Sequence, residues 1–420
     1  MRTWLLIPTL LTLASPAFAG DWPQWLGPNR DGSTTEIVKP WSGSPKVLWR
    51  AKVGDGHSSP VVGKGHVVFL HHFLKEGDKN LERLTAFDGK TGTELDSVSH
   101  ERGPFSSMFG VGPRATPLIH DGSIYTLGVT GRLCREEAWS TTQPAFRFKT
   151  AYSIDTLKEY GANNLFFGVS GSPLIEGENV LLATGGGKIA PLVALNKETG
   201  KLAWKVDNQP ASYAAPIVFG EGKSRQAVFL GQLGLTSINP KDGELFWQFP
   251  FKDKLIESST TPVKVGELLI VSSVTQGSVA LKLTEENGKP AVKEVWREPK
   301  LTCYFSTPVP AGDGLLFMVT GMATLQNASI TLHCVEAATG KVKWSKEKIG
   351  KYHAAIVRTG DGKLLMLDDG GRLTLMEPNA KEYKELARSK VCRETWAHPA
   401  LSNGRLYIRD DKEIICLQMD

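Results

Sequence analysis

The segment 171–206, GSPLIEGENVLLATGGGKIAPLVALNKETGKLAWKV, is one complete copy of a unit that recurs along nearly the whole chain. It contains four short apolar runs, SPLI, VLLAT, LVALN and KLAWKV, parted by the turn-forming stretches EGEN, GGGKIAP and KETG. Runs of four to six residues are too short for helices and read as strands. The last turn has a signature: Thr199 and Gly200 are followed by Trp204. Thr339, Gly340 and Trp344 repeat it, and Asp242, Gly243 and Trp247 nearly do.

First strands recur as SSPVV from Ser58, ATPLI from Ala115, GSPLI from Gly171, AAPIV from Ala214, TTPVK from Thr260 and STPVP from Ser306. A Pro-less AAIV from Ala354 and AHPAL from Ala397 bring the starts to eight. Trp204, Trp247, Trp296 and Trp344 follow one another at separations of 43, 49 and 48 residues. A period in the forties with four strands per unit is that of a propeller blade, whereas a stacked solenoid needs shorter coils. The fold expected is all-β: an eight-bladed propeller of four-stranded antiparallel blades over 46–420.

The two ends of the chain supply the eighth blade. KVLWRAKV, from Lys46, reads as a Trp-bearing fourth strand with no first three before it, while HPALS, RLYIRD and EIICLQ are three strands with no fourth after them. Pairing the N-terminal strand with the last one closes the ring and removes an open edge. Ahead of it, GDWPQWLGPNRDG is aromatic and rich in Gly and Pro, and 20–45 reads as an arm laid against the disc, since Trp22 and Trp25 are too apolar to leave in water.

Residues 1–19 read as a secretory signal, with Arg2, an apolar run and the cleavage pattern Ala17-Phe18-Ala19. The expectation is an exported protein, periplasmic or extracellular, that inserts in no membrane and acts as a monomer. The formal charge of +5 is mild for 420 residues and is spread over every repeat, so nucleic-acid binding has no support.

Five Cys remain after the signal, and no CxxC spacing marks a zinc or redox site. Cys334 and Cys416 stand where Ala86 and Ala194 stand in other units, and Cys134 is read with them as a small buried strand residue. Cys303 and Cys392 precede first strands, where a disulfide or reactive thiol has no spacing rule behind it. His71 and His72 are adjacent, point to opposite faces of a strand, and are expected at a solvated edge. Gly185–Gly187 with Lys188 joins two strands, not the strand and helix a phosphate loop requires. No metal site is expected.

In a propeller, the residues just before each innermost strand crowd around one mouth of the central channel. Here these include His57, Arg114, Tyr213, His353 and Trp396, with Tyr304 beside them, a set able to bind a ligand in a funnel. Side chains that merely fill the channel are the other reading. Two longer excursions, 100–114 and 155–170, lead into first strands and should lie on the same face, bringing Asn163, Asn164 and Glu159 with them. The third strand of the second unit departs from the template between Cys134 and Lys149, where the strands are hardest to place. Trp49, Trp204, Trp247, Trp296 and Trp344 are expected to dock one blade on the next.

At these motifs the chain resembles the quinoprotein-like propeller repeat family, and DWPQWLGPNRDG is similar to the arm of a secreted group of such propellers in planctomycete-type bacteria. The family contains pyrroloquinoline-quinone dehydrogenases and a noncatalytic branch, the propeller lipoprotein of the outer-membrane barrel assembly machine. For the dehydrogenases the resemblance implies a quinone held in the funnel against a disulfide of adjacent Cys, with a calcium bound by Glu and Asn and an Asp as base. This chain has no adjacent Cys pair, and it lacks the Cys that carries the lipid in the other branch. The function expected is therefore a noncatalytic binding or assembly scaffold with a small molecule or protein at the funnel face. An enzyme acting on a small molecule or sugar in the funnel is the alternative, and a quinone-dependent dehydrogenase ranks third. Neither pyrroloquinoline quinone nor calcium is expected.

Overall fold

Each apolar run of the repeat forms a strand in the computed structural model, which describes residues 20–63, 66–141, 145–187, 190–207, 209–321 and 328–420. The signal segment 1–19 and Lys188 lie outside these residues. In the template unit, Leu174–Glu176, Asn179–Ala183, Leu192–Asn196 and Leu202–Val206 pair in chain order, all antiparallel. Eight such four-stranded sheets form an eight-bladed propeller: blades 1 to 7 span 61–101, 118–155, 174–206, 217–250, 263–298, 309–350 and 354–390. The eighth joins 400–418 to Val47–Lys52, with Trp49 opposite Cys416. No helix among the described residues is long and apolar enough to cross a membrane.

The Thr-Gly-Trp signature is an interlock between neighbouring blades. Trp49 of blade 8 lies over the turn of blade 1 and donates its indole N–H to Gly89 O at 3.0 Å. Trp204 reaches Pro240 O of blade 4, Trp296 reaches Ala337 O of blade 6, and Trp344 reaches Asn379 O of blade 7. The turn needs glycine twice over. Gly92 and Gly340 have φ of 75° and 73°, and a Cβ on them would stand 2.6 Å from the Trp49 ring and 2.8 Å from the Trp296 ring. Trp247 differs: its N–H goes to Gln226 of its own blade, because blade 5 turns through the long hairpin of Gly277–Glu286 and Lys289–Glu298 and offers no such turn.

A second interlock explains the hydroxyl that precedes Pro in so many first strands. Thr116 N–H donates to Ser172 Oγ of the next blade at 2.9 Å, Thr261 N–H to Thr307 Oγ1 at 3.1 Å, and His398 N–H to Ser59 Oγ at 2.9 Å. Innermost strands are too far apart to share a ladder, so side-chain oxygens satisfy these backbone donors. The last bond joins blade 8 to blade 1, across the point where the ring closes.

The arm crosses the channel beneath these strands. Trp22 pairs its backbone with Val62 and is 1 % exposed, and Arg30 donates to Pro173 O at 3.1 Å. Trp25 donates to Thr261 Oγ1 at 2.9 Å, Ser33 bridges to Arg358, and Glu36 accepts from Gly404 N–H. The arm thus ties blades 1, 3, 5, 7 and 8 together. Arg30 is buried deeply enough that its pKa falls to about 9, still charged at neutral pH.

Departures from expectation cluster where strands outrun the template. In blade 2, where the strands were hardest to place, Arg132–Thr141 and Ala145–Asp155 are two long strands whose pairing continues past the place where other units carry a KETG-like turn. His71 and His72 are both buried, not at a solvated edge, since Val67–Glu76 runs ten residues against its partner. Their opposite faces meet different neighbours: His72 accepts from Gly54 N–H at 3.0 Å, beside blade 8, while His71 stands 4.0 Å from Glu82 of its own blade, whose carboxylate accepts from Val129 N–H of blade 2. All five Cys are free and buried, and burial pushes the thiols of Cys303 and Cys392 up to about 12.

Truncating Trp204 to Ala should cost about 3–5 kcal/mol by removing a buried ring. Leu202→Ala, on the exposed side of the same strand at 50 % exposure, should stay within about 0.5 kcal/mol. Urea unfolding of the two variants checks this, and similar losses for both would refute the interlock.

Candidate functional site

The residues ahead of the innermost strands enclose one cavity of about 440 Å³ at the channel mouth. His57, Arg114, Tyr213, Tyr304, His353 and Trp396 all line it. The two excursions reach it as well, through Met108 and Phe109 from one and Phe166 and Phe167 from the other. Trp25 of the arm also lines the cavity, and the arm's other contacts lie further along the inner strands, so the funnel has a floor.

Trp396 is the hub of the wall. Its ring lies 5.0 Å from Phe305, 5.6 Å from Tyr352, 6.0 Å from His57 and 6.3 Å from Phe109. Phe305 stacks on Tyr304 at 3.6 Å, and Phe109 continues through Phe167 to Tyr213 in edge contacts. Rings so arranged, edge to face and offset, hold one another rigidly.

The polar groups in this wall are largely spent on building it. Arg114 donates to Gly112 O at 2.9 Å, Gly110 O at 3.1 Å and Phe109 O at 3.2 Å, which pins the first excursion over the channel. Burial lowers its pKa to about 10, so it stays charged. His57 holds the same loop: Nε2 lies 2.6 Å from Phe109 O, and since a carbonyl only accepts, the proton is on Nε2. Tyr213 accepts from Phe167 N–H at 3.3 Å and fastens the second excursion. Burial, aided by the Arg114 charge, holds His57 at about 4, and burial aided by His57 holds His353 at about 4, so both are neutral at pH 7.

One carboxylate, Glu257, lines the cavity, reached from upstream of its blade's first strand; Glu394 does not line it. The Tyr304 hydroxyl donates to Glu257, and burial together with that bond raises the Tyr304 pKa. Asn163 and Asn164 are not in the lining. Asn163 forms a backbone bridge with Gly186, and Asn164 Oδ1 accepts from the adjacent Leu165 N–H, so the loop presents its next residues, Phe166 and Phe167, to the funnel. Sequence reasoning missed this aromatic pair, although FF after a polar GANN in a loop is the signal that marks it.

A calcium ion takes six to eight oxygen ligands. The lining offers a single carboxylate, already bonded to a tyrosine, and none of the five Cys lines the cavity. These residues do not fit a calcium and quinone pair.

The profile of the family described as "Outer membrane protein assembly factor BamB" matches residues 82–346, well over half of the chain. The chain belongs to this family. The chain is also 31 % identical over 212 residues to the quinoprotein alcohol dehydrogenase PedH of Pseudomonas putida, a match covering 45 % of this chain and 34 % of that protein. The chain thus spans about a third of the length of that curated relative. Among solved structures, the quinohemoprotein alcohol dehydrogenase of Comamonas testosteroni superposes with a TM-score of 0.67 at 12 % identity, covering 96 % of this chain and 81 % of that one. BamB of Moraxella catarrhalis superposes at 0.59 and 12 % identity, covering 89 % of this chain and 100 % of its own. At such identities the likeness carries the fold, which enzymes and assembly factors share.

The neutral His353 makes stability depend on pH with a defined sign. The unfolded chain binds its proton near 6.5 and the folded chain near 4, so the stabilisation is complete above pH 6.5 and is lost as pH falls towards 4. Urea midpoints measured across this window should vary less steeply for His353→Gln than for the wild type, and equal slopes would contradict a buried neutral imidazole.

Proposed function

We propose that the chain is an exported, noncatalytic binding propeller whose funnel receives an apolar segment of a partner protein. The observation that carries this is the rim. Met108 is 78 % exposed, Phe166 73 % and Leu255 46 %, and all three stand on the lining of an aromatic cavity built from separate loops. Large apolar side chains left in water around a preformed pocket are the composition of a protein-docking surface. The wall supports the same reading, because Arg114, His57 and Tyr213 are engaged in holding the loops in place. The family description as an assembly factor agrees with a protein ligand, and export rests on the leader-like first 19 residues.

The rival reading, an enzyme in the funnel, has one observation in its favour: Glu257 and Tyr304 form a hydrogen-bonded carboxylate and phenol pair facing the cavity. Such a pair is a proton-transfer unit only if a substrate enters between them.

Photo-crosslinking residues placed at Met108 and at Phe166, in the source organism, should trap the same protein from both positions, and Trp396→Ala should abolish both adducts. The mature protein titrated with pyrroloquinoline quinone and calcium should neither bind the quinone nor oxidise alcohols in a dye-linked assay. Micromolar quinone binding with oxidation lost in Glu257→Gln would overturn the proposal in favour of the enzyme.

A further inference from the structure

Blade 2 breaks the repeat chemically as well as in strand length. In every blade a bulge follows the third-strand residue that faces the outer strand's aromatic position, and this bulge aligns Glu136 with Leu195, Ile238, Leu281 and Val335. Those four are buried apolar residues, as expected for a strand sandwiched between blades. Glu136 is just as buried, 0 % exposed, and its Oε2 has no hydrogen-bond partner among the described residues. A carboxylate oxygen left alone in an apolar interior is costly unless a cation meets it.

Two further donors converge there. Cys134 is two residues before Glu136, so strand alternation puts both on one face. That face looks to blade 1, for Arg135 between them turns the other way, its Nη2 2.5 Å from Glu198 Oε2 of blade 3. From blade 1, on the outer strand Glu94–Glu101, His100 brings Nε2 to 2.6 Å from Glu136 Oε1. The imidazole nitrogen, thiol sulfur and carboxylate oxygen all lie within 4.8 Å of one another. The same register that aligns Glu136 shows that Cys134 is offset by one from Cys334 and Cys416, which stand opposite Trp344 and Trp49. It is therefore not one more copy of the small residue beneath an indole.

We propose that His100, Cys134 and Glu136 form a binding site for a divalent transition metal ion of zinc's kind, clamping blade 1 to blade 2. One thiolate, one imidazole and one carboxylate make a borderline-soft donor set that suits zinc and excludes calcium or magnesium. With metal bonds of about 2.0 Å to nitrogen and oxygen, a tetrahedral ion holds those two atoms roughly 3.3 Å apart. The ion thus takes the place of the proton between His100 and Glu136, and the pair opens by less than about 1 Å. That proton and the thiol proton of Cys134 both leave to solvent as the ion binds. The side chain of His100 is 21 % exposed, which gives the ion a way in from the rim and leaves a fourth position to water. The location also has a structural need. Blade 1 carries Asp96, not Trp, opposite Ala86, so the indole interlock is missing between blades 1 and 2.

The test is titration of the chelator-stripped full chain with cobalt(II) as the spectroscopic probe, followed by zinc. One equivalent of cobalt should give a thiolate-to-metal charge-transfer band that zinc displaces, and zinc should raise the melting temperature. Cys134→Ser should lose the band. His100→Gln should weaken binding by more than the roughly 10–100-fold typical of an outer-shell change, and it serves if Cys134→Ser does not fold. The proposal is overturned by a wild type without the band, by a band that survives Cys134→Ser, or by unchanged affinity in His100→Gln.

Discussion

An indole laid across the turn of the next blade is the contact on which the ring depends. Each blade is a twisted four-stranded sheet that exposes both faces, and neither face is stable until a neighbour covers it. The glycine of the turn lets the ring approach to van der Waals distance, and the indole N–H satisfies a turn carbonyl that would otherwise be shielded from water. Burial and hydrogen bonding are thereby achieved at one point, repeated around the disc. Where the indole is absent the chain substitutes other means: Tyr152 packs over Gly200 between blades 2 and 3, and an Asp96 carboxylate accepts from Phe148 N–H between blades 1 and 2.

Closure of the ring turns this local contact into a functional geometry. Because Val47–Lys52 completes the last blade, eight innermost strands point the same way around one axis, and the residues that precede them must converge. The belt of Ser and Thr oxygens inside the channel, with the arm beneath it, fixes the spacing of those strands. The two excursions are then held over the opening by Arg114, His57 and Tyr213, and the aromatic wall around Trp396 follows from their packing. The cavity is thus a property of this assembled wall and of no single blade.

The architecture was legible in the sequence because it is periodic: strand starts before Pro in seven units, turns at Gly, and a spaced Trp in blades 3 to 6 and 8 mark the repeat, and orphan strands at both ends imply closure. The mouth residues were legible for the same reason, being defined by their place before each first strand. What periodicity does not encode was harder to see. Arg114 looks like an anion anchor until its three carbonyl partners are known, and Asn163 looks like a ligand until its backbone is found bridged to Gly186. Phe166 and Phe167 fell in a loop whose direction depends on that bridge. His100 and Glu136 sit in ordinary-looking strands of different blades, and only the register of the bulges reveals a carboxylate where the repeat calls for an apolar residue.

We propose above that the funnel is an aromatic socket for protein and not a cofactor chamber. The most direct measurement is an experimental density map of the protein purified from its source with its partners retained. Polypeptide density seated between Met108, Phe166 and Leu255 and packed on Trp396 is the expected result. A flat, fused-ring density stacked in the funnel with a cation beside Glu257 would contradict it.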